Sequence, residues 1–373
     1  MTDYRRVVDR VVADIASGKL RPGDRLPPQR EFADQQGIAT STASRAYGEL
    51  ARRGLIVGEV GRGTYVRTMT GTSIPAFAEP GPLLVNLEFN MPLPADQGRL
   101  LAKSLAPFLK RTAALQRVLL ASAATGTIDA RHTVAKFLSR GDWTVNPDCV
   151  RFAGNGKQAL GAAMAALVPI GQRLGVDALT YPVVKALAAR LGIELVPLRM
   201  DEQGIRPDAL IAAQRKTPMR AIYCQPALHN PLGITMPKIR RLEIVAVLQR
   251  HDLYAIEDHV YAFLADDLAP LAALAPDRTV LVDSLSKRLV PGITLGYISA
   301  PPRLTSQIEA AVRSGAWGPS ALSMELCTRW IADGTVAVVS AAKRRDAEAR
   351  QRILHDAFAG LALQSNPRAY HAW

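Results

Sequence analysis

Three polar residues of different chemistry stand at nearly equal intervals in the second half of the chain. Asn230, Asp258 and Lys287 lie 28 and 29 residues apart. They follow the short apolar runs Arg220–Tyr223, Tyr254–Glu257 and Val280–Val282. That spacing suits repeated strand–helix units and sets one residue at each of several strand ends, on one rim of a sheet. An amine there, flanked by hydroxyls in Ser284-Leu285-Ser286-Lys287, can form an imine with an aldehyde if burial depresses its pKa. A carboxylate such as Asp258 can keep a pyridine nitrogen protonated and make the ring a better electron sink. Tyr261 can hydrogen-bond a ring hydroxyl, and the Asn230-Pro231 turn can aim an amide at a phenolic oxygen.

Two earlier elements can complete such a site. Gly154-Asn155-Gly156-Lys157-Gln158-Ala159 precedes an Ala-rich helix, Leu160–Leu167, and glycines opening a helix offer free N–H groups to an anion. Alone, this is equally a simple turn. Tyr181, in Leu179-Thr180-Tyr181-Pro182, either stacks on a flat heteroaromatic ring or packs as a core tyrosine. Cys224, His229 and His259 read as neighbours of the site rather than chemical actors.

The elements that must position these residues form a small module and a large one, because 373 residues exceed one ordinary domain. Residues 1–67 alternate short helical patterns with turns. Residues 68–85 are rich in Pro, Gly, Ser and Thr and read as a linker. From about Asn86 to Trp373, helices alternate with apolar runs, so the expected fold class is α/β with a mainly parallel sheet. Hydrophobic residues make up 48% and charged residues 21%, a globular balance. No run of 18 apolar residues predicts a membrane span, and the start lacks the apolar core of a signal peptide. Three dispersed cysteines, Cys149, Cys224 and Cys327, point to a reducing cytoplasm and to no metal site. The net charge of +13 favours polyanion partners, although residues 1–70 hold 12 Lys and Arg against 8 Asp and Glu. Most of the surplus is therefore ordinary surface charge on the large module.

Tyr4–Ala16 sets Val7, Val8, Val11, Val12 and Ile15 on one helical face. A turn-rich stretch, Leu20–Pro28, leads to a helix from Gln29 to Gln36. Gly37-Ile38 turns the chain into a third helix that opens at Ala39-Thr40 and reaches Arg53. Leu55–Val66 alternates around a hairpin tip at Gly61-Arg62-Gly63. Helix, turn, helix and wing is a DNA-reading layout, with the N-terminal end of the later helix facing base edges and phosphates. Thr40, Ser41, Thr42, Ser44 and Arg45 stand there, small hydroxyls for phosphates and a guanidinium for one guanine. Arg62 at the wing tip can reach the flanking groove. Arg52 and Arg53 suit a solvated helix C-terminus instead.

Residues 4–67 resemble the winged helix of GntR regulators, on Leu20-Arg-Pro-Gly-Asp-Arg-Leu-Pro-Pro-Gln-Arg30, Thr42-Ala-Ser-Arg-Ala-Tyr-Gly-Glu-Leu50 and Gly61-Arg-Gly-Thr-Tyr-Val66. The resemblance implies that Arg30, Thr40, Ser41, Thr42, Arg45 and Gly61 lie against double-stranded operator DNA. Residues 86–373 resemble fold-type I aminotransferases, on Asn-Pro-x-Gly, Glu-Asp-x-x-Tyr and Ser-x-Ser-Lys in that order. This implies pyridoxal 5'-phosphate as cofactor, held as a Schiff base by Lys287. It places Asp258 on the ring nitrogen, Asn230 and Tyr261 on the ring oxygen, and Tyr181 on the ring face. Gly156, Lys157, Gln158, Ser284 and Ser286 would hold the phosphate. The two modules in one chain resemble the MocR subfamily of GntR regulators. That implies a cytoplasmic, head-to-tail homodimer in which one DNA module lies over the partner's large domain, with pyridoxal phosphate or an attached amino compound as effector.

Two departures bear on activity. The family has an arginine for the cofactor phosphate where this chain has Thr294, in Val290-Pro-Gly-Ile-Thr-Leu-Gly-Tyr297, leaving Arg288 or Lys157 as substitutes. Pro367-Arg-Ala-Tyr-His-Ala-Trp373 reads as the start of a small-domain strand, ahead of the arginine that grips a substrate carboxylate in the family. A strand cut there would expose unpaired backbone. The expected function is a cofactor-responsive transcription regulator rather than an efficient enzyme. The alternatives are an active pyridoxal-phosphate-dependent aminotransferase with an accessory DNA module, and a regulator whose large domain serves only for dimerisation.

Overall fold

The computed structural model describes residues 4–21, 23–52, 55–59, 63–66, 90, 92–94, 96–265 and 268–373. Gly61, Arg62, Arg53 and the linker expected at 68–85 lie outside the described residues. The chain divides into two compact units, 1–80 and 81–373.

In the first unit, α1 (Tyr4–Ala16), α2 (Gln29–Gln36) and α3 (Thr40–Arg52) pack on a small antiparallel sheet. Its strands are β1 (Arg25–Leu26), β2 (Ile56–Glu59) and β3 (Gly63–Val66), in the order β1-β3-β2. Ile56 pairs with Val66 and Glu59 with Gly63, which makes the wing. The stretch read as a turn also supplies β1, because Arg25 and Leu26 pair with Tyr65 and Thr64. Gly37 ends α2 at φ +62°, a left-handed turn that lets α3 leave at a sharp angle. On α3, Ala43, Ala46, Tyr47 and Leu50 are buried at helical spacing against Val8, Val11 and Phe32. The rings of Phe32 and Tyr47 meet edge to face at 5.2 Å, a contact worth about 0.5–1.5 kcal/mol. Tyr47 also donates its hydroxyl to the Pro27 carbonyl at 2.7 Å. This tyrosine therefore locks α3 to the turn before α2.

The second unit is a three-layer α/β domain. Ahead of its sheet come α4 (Gln97–Leu109), α5 (Thr112–Val118) and α6 (Ile128–Leu138). Then β4 (Val150–Ala153), α7 (Gly156–Leu167), β5 (Arg173–Asp177), α8 (Pro182–Leu191) and β6 (Glu194–Leu198) alternate. A short hairpin, β7 (Met200–Asp201) and β8 (Gly204–Ile205), leads to α9 (Pro207–Lys216), β9 (Ala221–Cys224), α10 (Lys238–Arg250) and β10 (Tyr254–Asp258). After these come α11 (Leu271–Leu274), β11 (Thr279–Ser284), α12 (Leu285–Arg288) and β12 (Gly296–Ser299). Three helices follow: α13 (Thr305–Ser314), α14 (Ala321–Ala332) and α15 (Thr335–Ala357).

The seven-stranded sheet runs β4-β12-β11-β10-β9-β5-β6. Strand β12 runs antiparallel to the other six. The central strands are buried on both faces, so they read as continuous apolar runs rather than as alternation. Two large cores flank them, one under α6, α14 and α15, the other under α9 and α10. No helix among the described residues is long and apolar enough to cross a membrane.

The expected strand at 367–373 is instead a closed loop. Gln364 and Trp373 exchange both backbone hydrogen bonds at 2.8 Å, and Ser365 bridges Ala372. The backbone of Trp373 is thus paired, and Ala369 is buried against Tyr261, Phe263 and Ala347.

Candidate functional site

Parallel strands bring their carboxyl ends to one rim, and the chemistry-bearing residues of the large unit gather there. Asp258 ends β10, Ser284 ends β11, Ala153 ends β4, and Asn230 and Tyr181 follow β9 and β5. Since β12 runs the other way, its first residue, Gly296, sits on the same rim, opposite Ser284 and Ala153.

The Asp258 carboxylate is buried at the centre of this rim. Its Oδ2 accepts from the Tyr223 hydroxyl and from Gln225 Nε2, both at 2.9 Å. Its Oδ1 accepts the Val260 N–H at 3.1 Å. Burial pushes its pKa up to about 6, while the three donors hold it down. At neutral pH it remains chiefly ionised and is able to accept a proton from a basic nitrogen. Tyr223 and Gln225 were not singled out from the sequence. Two-residue alternation from β9, with Glu257 opposite Cys224, was the signal that puts them beside Asp258. Gln225 also accepts the Asn230 N–H through Oε1 at 3.1 Å, so one amide ties Asn230 to Asp258. The Asn230-Pro231 bond is cis.

Lys287 stands on α12, a four-residue helix capped by Ser284. Its amine lies 5.5 Å from the centre of the Tyr261 ring. It donates to Asn90 Oδ1 and, at 3.3 Å, to the Asn90 carbonyl. Asn90 Nδ2 in turn donates to the Tyr261 hydroxyl at 2.7 Å. Asn90 is thus a site residue that sequence reasoning missed, since no local pattern links positions 197 residues apart. Burial, followed by the charges of Lys157 and Lys343, lowers the Lys287 pKa to about 7, and Asp258 opposes this. Near neutrality a large share of the amine is therefore unprotonated and nucleophilic. Tyr181 stands immediately before α8, and its pKa is raised by burial and by the nearby Asp258 charge.

The start of α7 offers the donors that an anion cradle would need. Asn155 Oδ1 accepts the Gln158 N–H at 3.0 Å, which leaves the Gly156 and Lys157 N–H groups without an intrahelical acceptor. A Cβ on Gly156 would stand 2.8 Å from Ser284 Oγ, and one on Gly296 would stand 2.3 Å from the Asn155 carbonyl oxygen. Glycine at both positions lets α7, β11 and β12 close on one point. Ser286 Oγ and Thr294 Oγ1 are paired at 2.8 Å, so Thr294 supplies a hydroxyl to the same neighbourhood.

Arg288 is not brought to this cradle. Its guanidinium bonds Asp283 Oδ2 at 2.9 Å and lies about 5.1 Å from the centres of both the Phe137 and Phe263 rings. Adjacent residues on α12 point in different directions, so Arg288 turns into the core when Lys287 faces the rim. Gln158 likewise spends its backbone N–H on Asn155, and its side-chain oxygen lies over Gly154. His259 faces Asp283 at 3.6 Å and His229 faces Asp177 at 3.5 Å. His371, from the closed loop, packs 5.1 Å from the Tyr261 ring and contacts the His229 carbonyl at 3.0 Å. It too was missed. Burial pulls its pKa down to about 4, so it is neutral at pH 7.

In the first unit, the face of α3 opposite its buried stripe presents Thr40, Ser41, Ser44 and Arg45, all exposed, with Thr42 half-buried at the margin. Arg30, early in α2, is exposed as well.

Residues 84–373 match the family Aminotransferase class I and II. The chain belongs to that family. Residues 3–66 match the gntR family of bacterial regulatory proteins, and this aminotransferase-class domain joined to a gntR module has the MocR layout. An uncharacterized HTH-type transcriptional regulator, YdeF of Bacillus subtilis (strain 168), is 28% identical, covering 99% of this chain and 80% of its own length. The HTH-type pyridoxine biosynthesis transcriptional regulator PdxR of Corynebacterium glutamicum is 27% identical over 93% of this chain and 77% of its own. The probable rhizopine catabolism regulatory protein MocR of Rhizobium meliloti is 26% identical over 94% and 76%. Among solved structures, an archaeal alanine:glyoxylate aminotransferase shares the fold with a TM-score of 0.68 at 22% identity, covering 77% of this chain and 74% of that one. The α-aminoadipate aminotransferase LysN of Thermus thermophilus, complexed with N-(5'-phosphopyridoxyl)-L-leucine, has a TM-score of 0.66 at 20% identity, covering 74% and 72%.

Proposed function

We propose that this protein is a DNA-binding transcription regulator whose aminotransferase-class domain senses pyridoxal 5'-phosphate. The observation that carries the reading is the conjunction, in one chain, of a helix-turn-helix face and a buried Lys287–Asp258 site. The first offers hydroxyls and one arginine to a groove, and the second suits an aldehyde-bearing pyridine. The regulators similar to it over most of its length support the first part, and the complex formed by LysN supports the second.

The residues present fit the cofactor. Lys287 would hold it covalently, and Asp258, kept in place by Tyr223 and Gln225, would pair with its ring nitrogen. Asn230 and Tyr261 would bond its ring oxygen, and Tyr181 would cover the ring face. The Gly156 and Lys157 N–H groups, with Ser284, Ser286 and Thr294, would take its phosphate, and Lys157 would add a positive charge. When bound, pyridoxal phosphate supplies an electrophilic aldehyde on an electron-withdrawing ring. The Tyr261 hydroxyl accepts from Asn90, so its own proton is free to be donated.

On the DNA side, Arg45 would read a base, with Arg30, Thr40, Ser41 and Thr42 on phosphates and Gly61 and Arg62 at the wing. The protein would act in the cytoplasm as a head-to-tail homodimer, with an amino compound as further effector. Cofactor state would bias the large domain and so re-space two DNA modules on two half-sites. The test is an absorbance titration with pyridoxal phosphate, run alongside operator binding. A visible band in the native chain that is lost in Lys287→Ala, together with operator affinity that depends on cofactor, is expected. A band unchanged in Lys287→Ala overturns the site assignment. Turnover of amino acids above the free-cofactor rate would move the protein to the enzymes.

A further inference from the structure

A cation from a distant helix bonds the backbone of Lys287. Lys343, on α15, is wholly buried. Its amine donates to the Lys287 carbonyl at 2.8 Å and to the Leu289 carbonyl at 2.6 Å. A helix as short as α12 ends in carbonyls that no further turn can satisfy, and its local return is the Leu289 N–H to Leu285, at 2.7 Å. Lys343 supplies the missing donors from outside. The brace is itself braced, because the Tyr370 hydroxyl donates to the Lys343 carbonyl at 2.6 Å and contacts Asp346 Oδ2 at 3.1 Å. A neutral donor would satisfy the same carbonyls at far lower desolvation cost than a buried ammonium. A charge retained there calls for a second use.

We infer that Lys343 is the positioning residue of Lys287: it pins the carbonyl end of the helix that carries the reactive amine and places a second positive charge behind that amine. The inference rests on the reading of Lys287 as the reactive amine. The charged and titratable groups around Lys287 are Lys157 from α7, Asp258 from the end of β10, Tyr261, His371 from the closed loop, and Lys343 itself. His371 is neutral near pH 7, and Asp258 acts in the opposite sense. Among the described residues, Lys157 and Lys343 are therefore the cations that oppose protonation of Lys287. The Lys157 charge is the larger of the two and comes from an exposed side chain; Lys343 adds its charge from a buried one. Burial lowers the Lys343 pKa to about 8, against the pull of Asp346, so at pH 7 it still carries its charge.

The test uses the full chain without cofactor, reading pH-dependent labelling of Lys287 by an amine-reactive ester through peptide mass spectrometry. In the native chain the midpoint should fall near neutrality; a midpoint in the ordinary lysine range, about 10.4, overturns the inference without any variant. Lys343→Met and Lys343→Gln should each raise the midpoint by about one unit, leaving roughly fivefold less neutral amine at pH 7. Lys343→Arg, which keeps charge and donors, should restore the native midpoint. Cooperative melting of each variant separates this from loss of fold. Native midpoints in well-folded Met and Gln variants would overturn the charge role. If the midpoint shifts as expected but no cofactor band forms in the native chain, Lys343 stands and the cofactor reading falls.

Discussion

Asp258→Asn should stabilise the cofactor-free large unit at neutral pH and weaken its hold on the cofactor. The carboxyl is fully enclosed and its pKa is raised from 3.8 to about 6. Ionisation in the folded state is therefore disfavoured by about two units, or roughly 3 kcal/mol at about 1.4 kcal/mol per unit. An asparagine oxygen at the Oδ2 position keeps the bonds from Tyr223 and Gln225. Its NH2 group then faces the Val260 N–H, donor against donor, at a cost of about 1–2 kcal/mol. The net gain at about pH 7.5 is about 1–2 kcal/mol. A raised acid pKa means that the folded state binds more protons than the unfolded state between about pH 4 and 6. Wild-type stability therefore falls as pH rises through that window, and the variant lacks this loss. The difference between the two chains should grow in the variant's favour by about 2–3 kcal/mol from about pH 4 to about pH 7.5. Urea unfolding followed by tryptophan fluorescence measures this selectively, since Trp143, Trp317, Trp330 and Trp373 all lie in the large unit. A difference that stays flat with pH would refute the argument that burial governs this carboxyl.

Arg45→Ala should weaken operator binding and relax preference at one base pair, by roughly 1–3 kcal/mol; equal loss on all sequences in a binding titration would make Arg45 a phosphate contact. Thr294→Arg should tighten pyridoxal phosphate binding in a spectroscopic titration by adding a charge beside Ser286, and an unchanged Kd would count against a phosphate cradle at this point. Gly296→Ala should lower the melting temperature of the large unit and weaken cofactor binding together, because the new methyl would meet the Asn155 backbone at 2.3 Å. An unchanged melt would mean that α7 shifts freely.

Much of the fold was legible because its signals are local. The stripe Val7, Val8, Val11 on α1 records helical burial directly, and apolar runs marked β9, β10 and β11. Near-equal spacing of Asn230, Asp258 and Lys287 followed from strand–helix repetition, and the parallel sheet does bring their elements to one rim. The sequence by itself therefore determined the class of fold and the residue types that stand along one rim of its sheet. Tertiary packing alone decided their surroundings. Arg288 is adjacent to Lys287 in sequence, yet it turns into the core toward Asp283, while Asn90 and Lys343 reach Lys287 from 197 and 56 residues away. The segment read as a strand at 367–373 closes on Gln364 and sets His371 against Tyr261. Side-chain direction at a helix end, and contacts across such separations, depend on which surfaces pack together, and no periodicity along the chain encodes that.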